Sequence, residues 1–243
     1  METLSISCTF IDNVRLDFPS DFVLSALPFL WDDEKNHQIC FLTGSRFAEN
    51  RPGRSPRSSE YWSMIASADL VLPCSPAPIR NLDPVQDIQT RTFPVPFIHQ
   101  LMLDAMLDAE DLDAVEASSR RADFQPLVRA FRPQKIITGL LSALEIKKGS
   151  VFLVGGDQIP LIKAQKNLRA TYPGLAIVGS MSGRYRPHEE PALVEAIQKG
   201  SPSLILLGSP IPDEECWIPR HMSRTRSGIF LYYAPLMRWL SGA

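Results

Sequence analysis

Three short apolar runs, each stopped by glycine and separated by helical patterns, constrain the fold of this chain more than any other feature. Ser150 to Val154 (SVFLV) runs into Gly155-Gly156, Leu175 to Val178 (LAIV) into Gly179, and Ser203 to Leu207 (SLILL) into Gly208. Between the first two runs, Ile159, Ile162, Leu168 and Tyr172 are assigned to one apolar face, with Lys163, Lys166 and Arg169 on the polar side and Pro173-Gly174 as the stop. Between the second and third, Glu189 to Lys199 reads as a helix with Leu193, Val194 and Ile197 apolar, closed by Gly200. Continuous apolar strands alternating with helices mean a parallel sheet covered on both faces. The expected class is α/β, a Rossmann-like parallel sheet with flanking helices plus a helical insertion.

The N-terminal part is less regular. Leu4 to Phe10 alternates like a strand, and Ile39 to Leu42 and Asp69 to Leu72 read as short strands. Arg46 to Ser59 reads as a basic, Pro- and Ser-rich loop, and Glu60 to Ala68 as a helix. Residues 73–96 carry six of the 21 prolines and few periodic positions. From Phe97 to Phe131 the chain reads as one or two helices, with Phe97, Ile98, Leu101, Met102, Ala105 and Met106 as an apolar stripe. The opposite face is acidic, through Asp104, Asp108, Glu110, Asp111, Asp113 and Glu116. The expected organisation is therefore an N-terminal α/β part over 1–72, a Pro-rich loop and acidic helical insertion over 73–135, and a Rossmann-like part over 136–243, forming one compact domain.

A formal net charge of −2 argues against nucleic acid as a partner, because that needs a strongly positive surface. No apolar run approaches the roughly 18–20 residues that span a bilayer, and no signal peptide is visible, so membrane contact is expected to be peripheral at most. An acidic helical face is a poor membrane binder, which leaves 97–131 as a core-facing helix or a docking surface for a partner protein. Homo-oligomerisation is left open. Cys8, Cys40, Cys74 and Cys216 are widely spaced, as are His37, His99, His188 and His221, so neither a metal site nor a cofactor is expected.

Ligands of open α/β sheets bind beyond the carboxyl ends of the strands. Gly155-Gly156 and Gly208-Ser209-Pro210 occupy such ends, where free N–H groups at a helix start suit a diphosphate. The same glycines serve turn geometry equally well.

The stretch VFLVGGDQIPLIKAQKNLRATYPGLAIVGSMSGRY, then PSLILLGSP, then Glu214-Glu215-Cys216-Trp217-Ile218, resembles the core of the WecG/TagA/CpsF glycosyltransferases. LSISCTFIDNVRLD, ADLVLP, RPQKIITG and the segment Ile229 to Ala243 resemble other parts of that family in collinear order. The resemblance implies a bacterial, cytoplasmic protein at the inner face of the membrane. It implies metal-independent transfer of an N-acetylmannosamine-type sugar from a UDP donor to a lipid-diphosphate acceptor. It places nucleotide binding at Thr138, Gly139, Gly155, Gly156, Gly183, Gly208, Ser209, Pro210, Glu214 and Trp217.

Departures fall where the chemistry is expected. Cys74 stands at the position of the family's basic aspartate, and a thiol does not replace a carboxylate without activation. Thr43 is kept, but Ser45 replaces an asparagine. Leu141 replaces an aspartate, and Met181 and Ser182 replace histidines. The nearest carboxylates in sequence to Cys74 are Asp83 and Asp87. Asp213, Glu214 and Glu215 are expected to fill the first turn of a helix, where they would repel a diphosphate. Family members continue past the position of Ala243 with a basic appendage; Arg220, Arg224 and Arg226 are the local candidates for its role. Two readings stand. One is a divergent transferase moving a hexosamine-type sugar from UDP to a lipid-linked or other acceptor. The other is an inactive pseudo-glycosyltransferase acting as a protein-binding or structural module.

Overall fold

The computed structural model describes residues 3–11, 14–19, 22, 35–43, 56–75, 89–94, 131–214, 216–225 and 228–242. The strands are β1 (Thr3–Ile11), β2 (Val14–Phe18), β3 (Asn36–Leu42), β4 (Leu70–Pro73), β5 (Gln89–Pro94), β6 (Ser150–Val154), β7 (Ala176–Met181), β8 (Leu204–Leu207) and β9 (Gly228–Tyr232). The α-helices are α1 (Pro56–Ser67), α2 (Pro133–Ile146), α3 (Gln158–Thr171), α4 (Glu190–Gly200), α5 (Trp217–His221) and α6 (Leu236–Leu240). The chain divides into two units, Met1–Trp31 with Phe41–Ala143, and Asp32–Cys40 with Leu144–Ala243. The acidic stretch 97–130, with Asp83 and Asp87, lies outside the described residues.

In the first unit, β1 pairs antiparallel with both β2 and β5, in the order β2-β1-β5. Strand β5 was masked in the sequence by the prolines around it. The fully buried carboxylate of Asp17 ties this unit together. Its Oδ1 accepts from Arg15 Nε at 3.0 Å and Arg91 Nη1 at 2.8 Å, and its Oδ2 from the Val71 amide at 2.9 Å. Arg15 Nη2 also donates to the carbonyls of Ala68 (2.8 Å) and Asp69 (2.7 Å). One carboxylate thereby links β2, β4 and β5, with both arginines satisfied.

Strand order in the six-stranded parallel sheet is β4-β3-β9-β8-β6-β7. The runs expected to be buried on both faces are so at β6 and β8, where every residue but Ser150 is buried. The third run differs. Strand β7 is an edge strand with alternating exposure, and it extends beyond Gly179 to Met181. Its register against β6 skips Val178, with Val151 opposite Ile177 and Phe152 opposite Gly179. Gly179 gives Phe152 room: a Cβ there would lie 2.2 Å from the phenyl ring.

Helix α3 corrects the expected apolar face. Leu161, Ala164 and Leu168 are buried, whereas Ile159 is 70% and Ile162 55% exposed. Positions 161, 164 and 168 follow the i, i+3, i+7 spacing of a single stripe, and the two isoleucines fall on the other side of the cylinder. Helix α4 buries Leu193, Val194 and Ile197 as expected, but its left-handed cap residue is Ser201 (φ +42°) rather than Gly200. One face of the sheet packs Phe152, Ile205 and Phe230 with Leu193, Ile197 and Trp217. Burying each such side chain contributes about 1.5–3 kcal/mol.

Removing one member of a buried ion cluster leaves the others desolvated without compensation. Asp17→Ala is therefore expected to lower unfolding free energy by about 3–5 kcal/mol in urea titrations, with Asp17→Asn only partly restoring it.

Candidate functional site

The carboxyl ends of β6, β7, β8 and β9 in the second unit are pressed together backbone against backbone. Gly155 (φ +120°) would place a Cβ 1.9 Å from the Gly208 carbonyl oxygen, and Gly183 would place one 1.5 Å from that of Pro210. No side chain fits at either position. The amides of these loops bond to one another. Gly155 donates to Met181 O (3.0 Å), Gly156 to Ser209 O (3.2 Å), Gly183 to Gly156 O (3.0 Å), and Ser209 to Ala234 O (3.0 Å). The Gly208 amide continues the ladder to Val154 O at 2.9 Å. The structure thus brings together Gly155, Gly156, Gly183, Gly208, Ser209 and Pro210, and engages the amide donors of the first five within the protein. The Ser182 hydroxyl joins them by donating to Gly156 O at 3.0 Å.

Side chains supply the remaining polar surface. Ser209 follows β8 and Tyr232 ends β9, so adjacent parallel strands deliver two hydroxyls to one place. Ser209 Oγ donates to Glu214 Oε1 at 2.5 Å, Tyr232 OH donates to Glu214 Oε2 at 2.6 Å, and the two hydroxyl oxygens lie 2.7 Å apart. Glu214 is not in a helical first turn, contrary to the sequence expectation. Helix α5 begins only at Trp217 and carries no acid in its first turn. Asp213, at φ +48°, turns the chain before it, and its carboxylate meets Arg220 Nη1 at 2.6 Å. That backbone turn, rather than a helix dipole, sets where Glu214 reaches.

A second carboxylate lies near Trp217. Glu190 Oε1 accepts from Tyr185 OH and Trp217 Nε1, both at 3.1 Å, and its Oε2 is 3.6 Å from His221 Nε2. His221 stacks on Trp217 with ring centroids 4.6 Å apart, and its Nδ1 lies 3.0 Å from Trp217 O. Burial, followed by the charge and hydrogen bond of Glu190, pushes the Tyr185 phenol well above its ordinary range. Burial lowers His221, which Glu190 opposes. Trp217 is 1% exposed and sits in the core, so its indole face is closed to a stacking ligand.

At the start of α3, Asp157 occupies the N-cap without capping, because its carboxylate meets Arg184 Nε. The first-turn amides of Gln158 and Ile159 therefore lack a side-chain cap.

In the first unit, Thr43 follows β3 and Cys74 follows β4, while Ser45 lies outside the described residues. Thr138 and Gly139 fall in mid-helix on α2. The Cys74 thiol donates to Leu72 O at 3.5 Å, and burial pushes it up to about 12. Among the described residues, no three His, Cys, Asp or Glu side chains are grouped to hold a metal ion. No described helix is long and apolar enough to cross a membrane. Sequence reading missed Tyr232, Glu190 and Tyr185. The available signal was positional, since a tyrosine closing an apolar parallel strand points a hydroxyl at the ligand edge.

Gly183→Ala is expected to cost about 3 kcal/mol or more through overpacking. Gly200→Ala, where the nearest atom is 3.4 Å from the new Cβ, is expected to gain about 0.5 kcal/mol. Chemical denaturation checks both. Cys74 is expected to alkylate at least about tenfold more slowly at pH 8 than the same residue in the unfolded chain, since the thiolate is the nucleophile. The rate should climb as pH approaches 12, read by mass spectrometry of the modified peptide.

The family model for the glycosyl transferase WecG/TagA/CpsF family matches residues 114–243. No curated protein matches the chain. The family match covers more than half of the sequence and includes the carboxyl ends of β6, β7, β8 and β9, but not those of β3 and β4. The chain therefore belongs to the WecG/TagA/CpsF glycosyltransferase family.

Proposed function

We propose that this protein transfers a hexosamine-type sugar from a UDP donor to a lipid-linked acceptor at the inner face of the cytoplasmic membrane. The observation that carries the reading is the Ser209–Glu214–Tyr232 cluster at the carboxyl edge of a parallel sheet in a glycosyltransferase family member. The donor sits beyond β6 and β8. With the glycine amides engaged, the diphosphate is met by the first-turn amides of Gln158 and Ile159, and by Arg184 once it leaves Asp157. That ion pair is solvent-exposed and weak, so a phosphate can displace the carboxylate. Ser209 and Glu214 face the sugar.

One observation favours a second reading, a scaffold that binds without turnover. By the resemblance, Cys74 falls at the family's general-base aspartate, and its buried thiol stays protonated near neutral pH. A partner protein docking on 97–131 belongs to that reading.

The two separate on one protein sample. UDP at about 100 times its dissociation constant is expected to stabilise the fold by about 2.7 kcal/mol, or roughly 5–10 °C in melting temperature for a chain of this size. Release of UDP from a UDP-N-acetylhexosamine then marks a transferase, and binding without release marks the scaffold. An unchanged melting temperature at millimolar UDP would sink the donor assignment.

A further inference from the structure

We propose that Glu214 is the general base of the transfer, positioned by Ser209 and Tyr232; this rests on the transferase reading above. A hydrogen count carries the inference. The ring Glu214 Oε1, Ser209 Oγ, Tyr232 OH, Glu214 Oε2 has three oxygen–oxygen contacts, at 2.5, 2.7 and 2.6 Å. Each is short enough to be a hydrogen bond. With Glu214 ionised, the two hydroxyls supply two hydrogens, so one contact is left without a proton. A third proton on Glu214 lets every contact in the ring be a hydrogen bond, running around it in one sense. The ring is a built seat for one proton, located where a substrate hydroxyl would meet the sheet edge.

Among the described residues, the neighbouring acids of the same unit are held by other groups. Asp157 meets Arg184, and Asp213 meets Arg220. Glu189 accepts the Arg186 amide at 2.5 Å. Glu190 is held by Tyr185 and the buried Trp217, beside His221. Glu214 differs from these in that both of its oxygens accept from hydroxyls, those of Ser209 and Tyr232. Cys74 does not compete, since its protonated thiol donates to Leu72 O.

In the step itself, the acceptor hydroxyl oxygen attacks the anomeric carbon and forms the new glycosidic bond. The bond from that carbon to the β-phosphate oxygen breaks, and its electron pair leaves with UDP. The hydroxyl proton passes to Glu214, completing the ring, and returns to water after product release.

The test uses the full chain, a UDP-N-acetylhexosamine and a polyprenyl-diphosphate-linked sugar, following UDP release against pH. Glu214→Gln keeps the size of the side chain but cannot take the proton. It is expected to bind UDP within threefold of the parent, to lose about 10²–10⁴-fold in rate, and to lose the rise of kcat/KM on the acid side of the profile. Tyr232→Phe and Ser209→Ala break the ring at one point each. They are expected to slow release several-fold and to displace that acid limb, which a purely structural role would leave in place. A Glu214→Gln variant that keeps a third or more of the rate with an unchanged profile overturns the proposal and leaves the transferase reading intact. If that variant loses UDP binding or does not fold, unmoved acid limbs in both hydroxyl variants overturn it instead. Absence of UDP release by the parent protein overturns the transferase reading, and this proposal with it.

Discussion

The second unit depends on loops that approach more closely than any side chain allows. At Gly155 and Gly183 the space a Cβ would occupy is already filled by the carbonyl oxygens of Gly208 and Pro210. Contact at that range lets the amides of Gly155, Gly156, Gly183 and Ser209 each find a carbonyl on a neighbouring loop or strand end. The result is a closed platform. Glycine at a strand end is often read as room for a phosphate, yet here the missing Cβ makes room for another loop.

What stands on the platform follows from how the chain leaves β8. After Ser209-Pro210 it does not enter a long helix. It turns through a left-handed Asp213 and reaches only a five-residue helix at Trp217. A carboxylate in the first turn of a helix would gain about 0.3–1 kcal/mol from the dipole. Glu214 instead takes two hydroxyl donors, one from each of two adjacent strands. Trp217 then anchors the segment from below, with its indole N–H held by Glu190 and its ring stacked on His221. The two carboxylates therefore have separate duties. Glu190 secures the buried anchor, and Glu214 ties together the hydroxyls that follow β8 and end β9.

Strands β6 and β8 were legible in the sequence, because burial on both faces of a parallel sheet demands unbroken apolar runs, whereas β7 is a half-exposed edge and β9 was not read as a strand. Helix α4 was legible for a related reason, since its three apolar residues include no competing stripe. Helix α3 was not, since Ile159 and Ile162 outweigh Leu161 and Ala164 in hydrophobicity while lying on the exposed side. Hydrophobicity marks a face only when spacing agrees with it. The Asp17 cluster was invisible for another reason. Its partners come from β2, β4 and β5, and nothing local to Asp17 indicates that it will be fully buried. The Ser209–Glu214–Tyr232 ring was half legible: its first two members were singled out, but as nucleotide-binding residues, with Glu214 in the first turn of a helix. Tyr232 joins them through strand pairing, which sequence spacing does not disclose.

If Cys74 stands where the family carries an acid, as the resemblance implies, one strand end lacks a proton acceptor, because burial keeps the thiol protonated across the physiological range. In a fold whose reactive groups were fixed by a single loop, that change would end proton transfer. A parallel sheet presents several strand ends to the same edge, and each can carry a polar side chain without disturbing the buried runs behind it. Tyr232 illustrates the point: Ile229, Phe230 and Leu231 remain buried, while the next residue offers a hydroxyl. Chemistry can therefore move along such an edge at little structural cost. The rigid glycine platform helps, because a carboxylate held by two hydroxyls acts reproducibly only if the strands carrying them keep their register. Here that register is set by the β8–β9 ladder, which places Leu207 opposite Tyr232 one residue before Gly208 and two before Ser209.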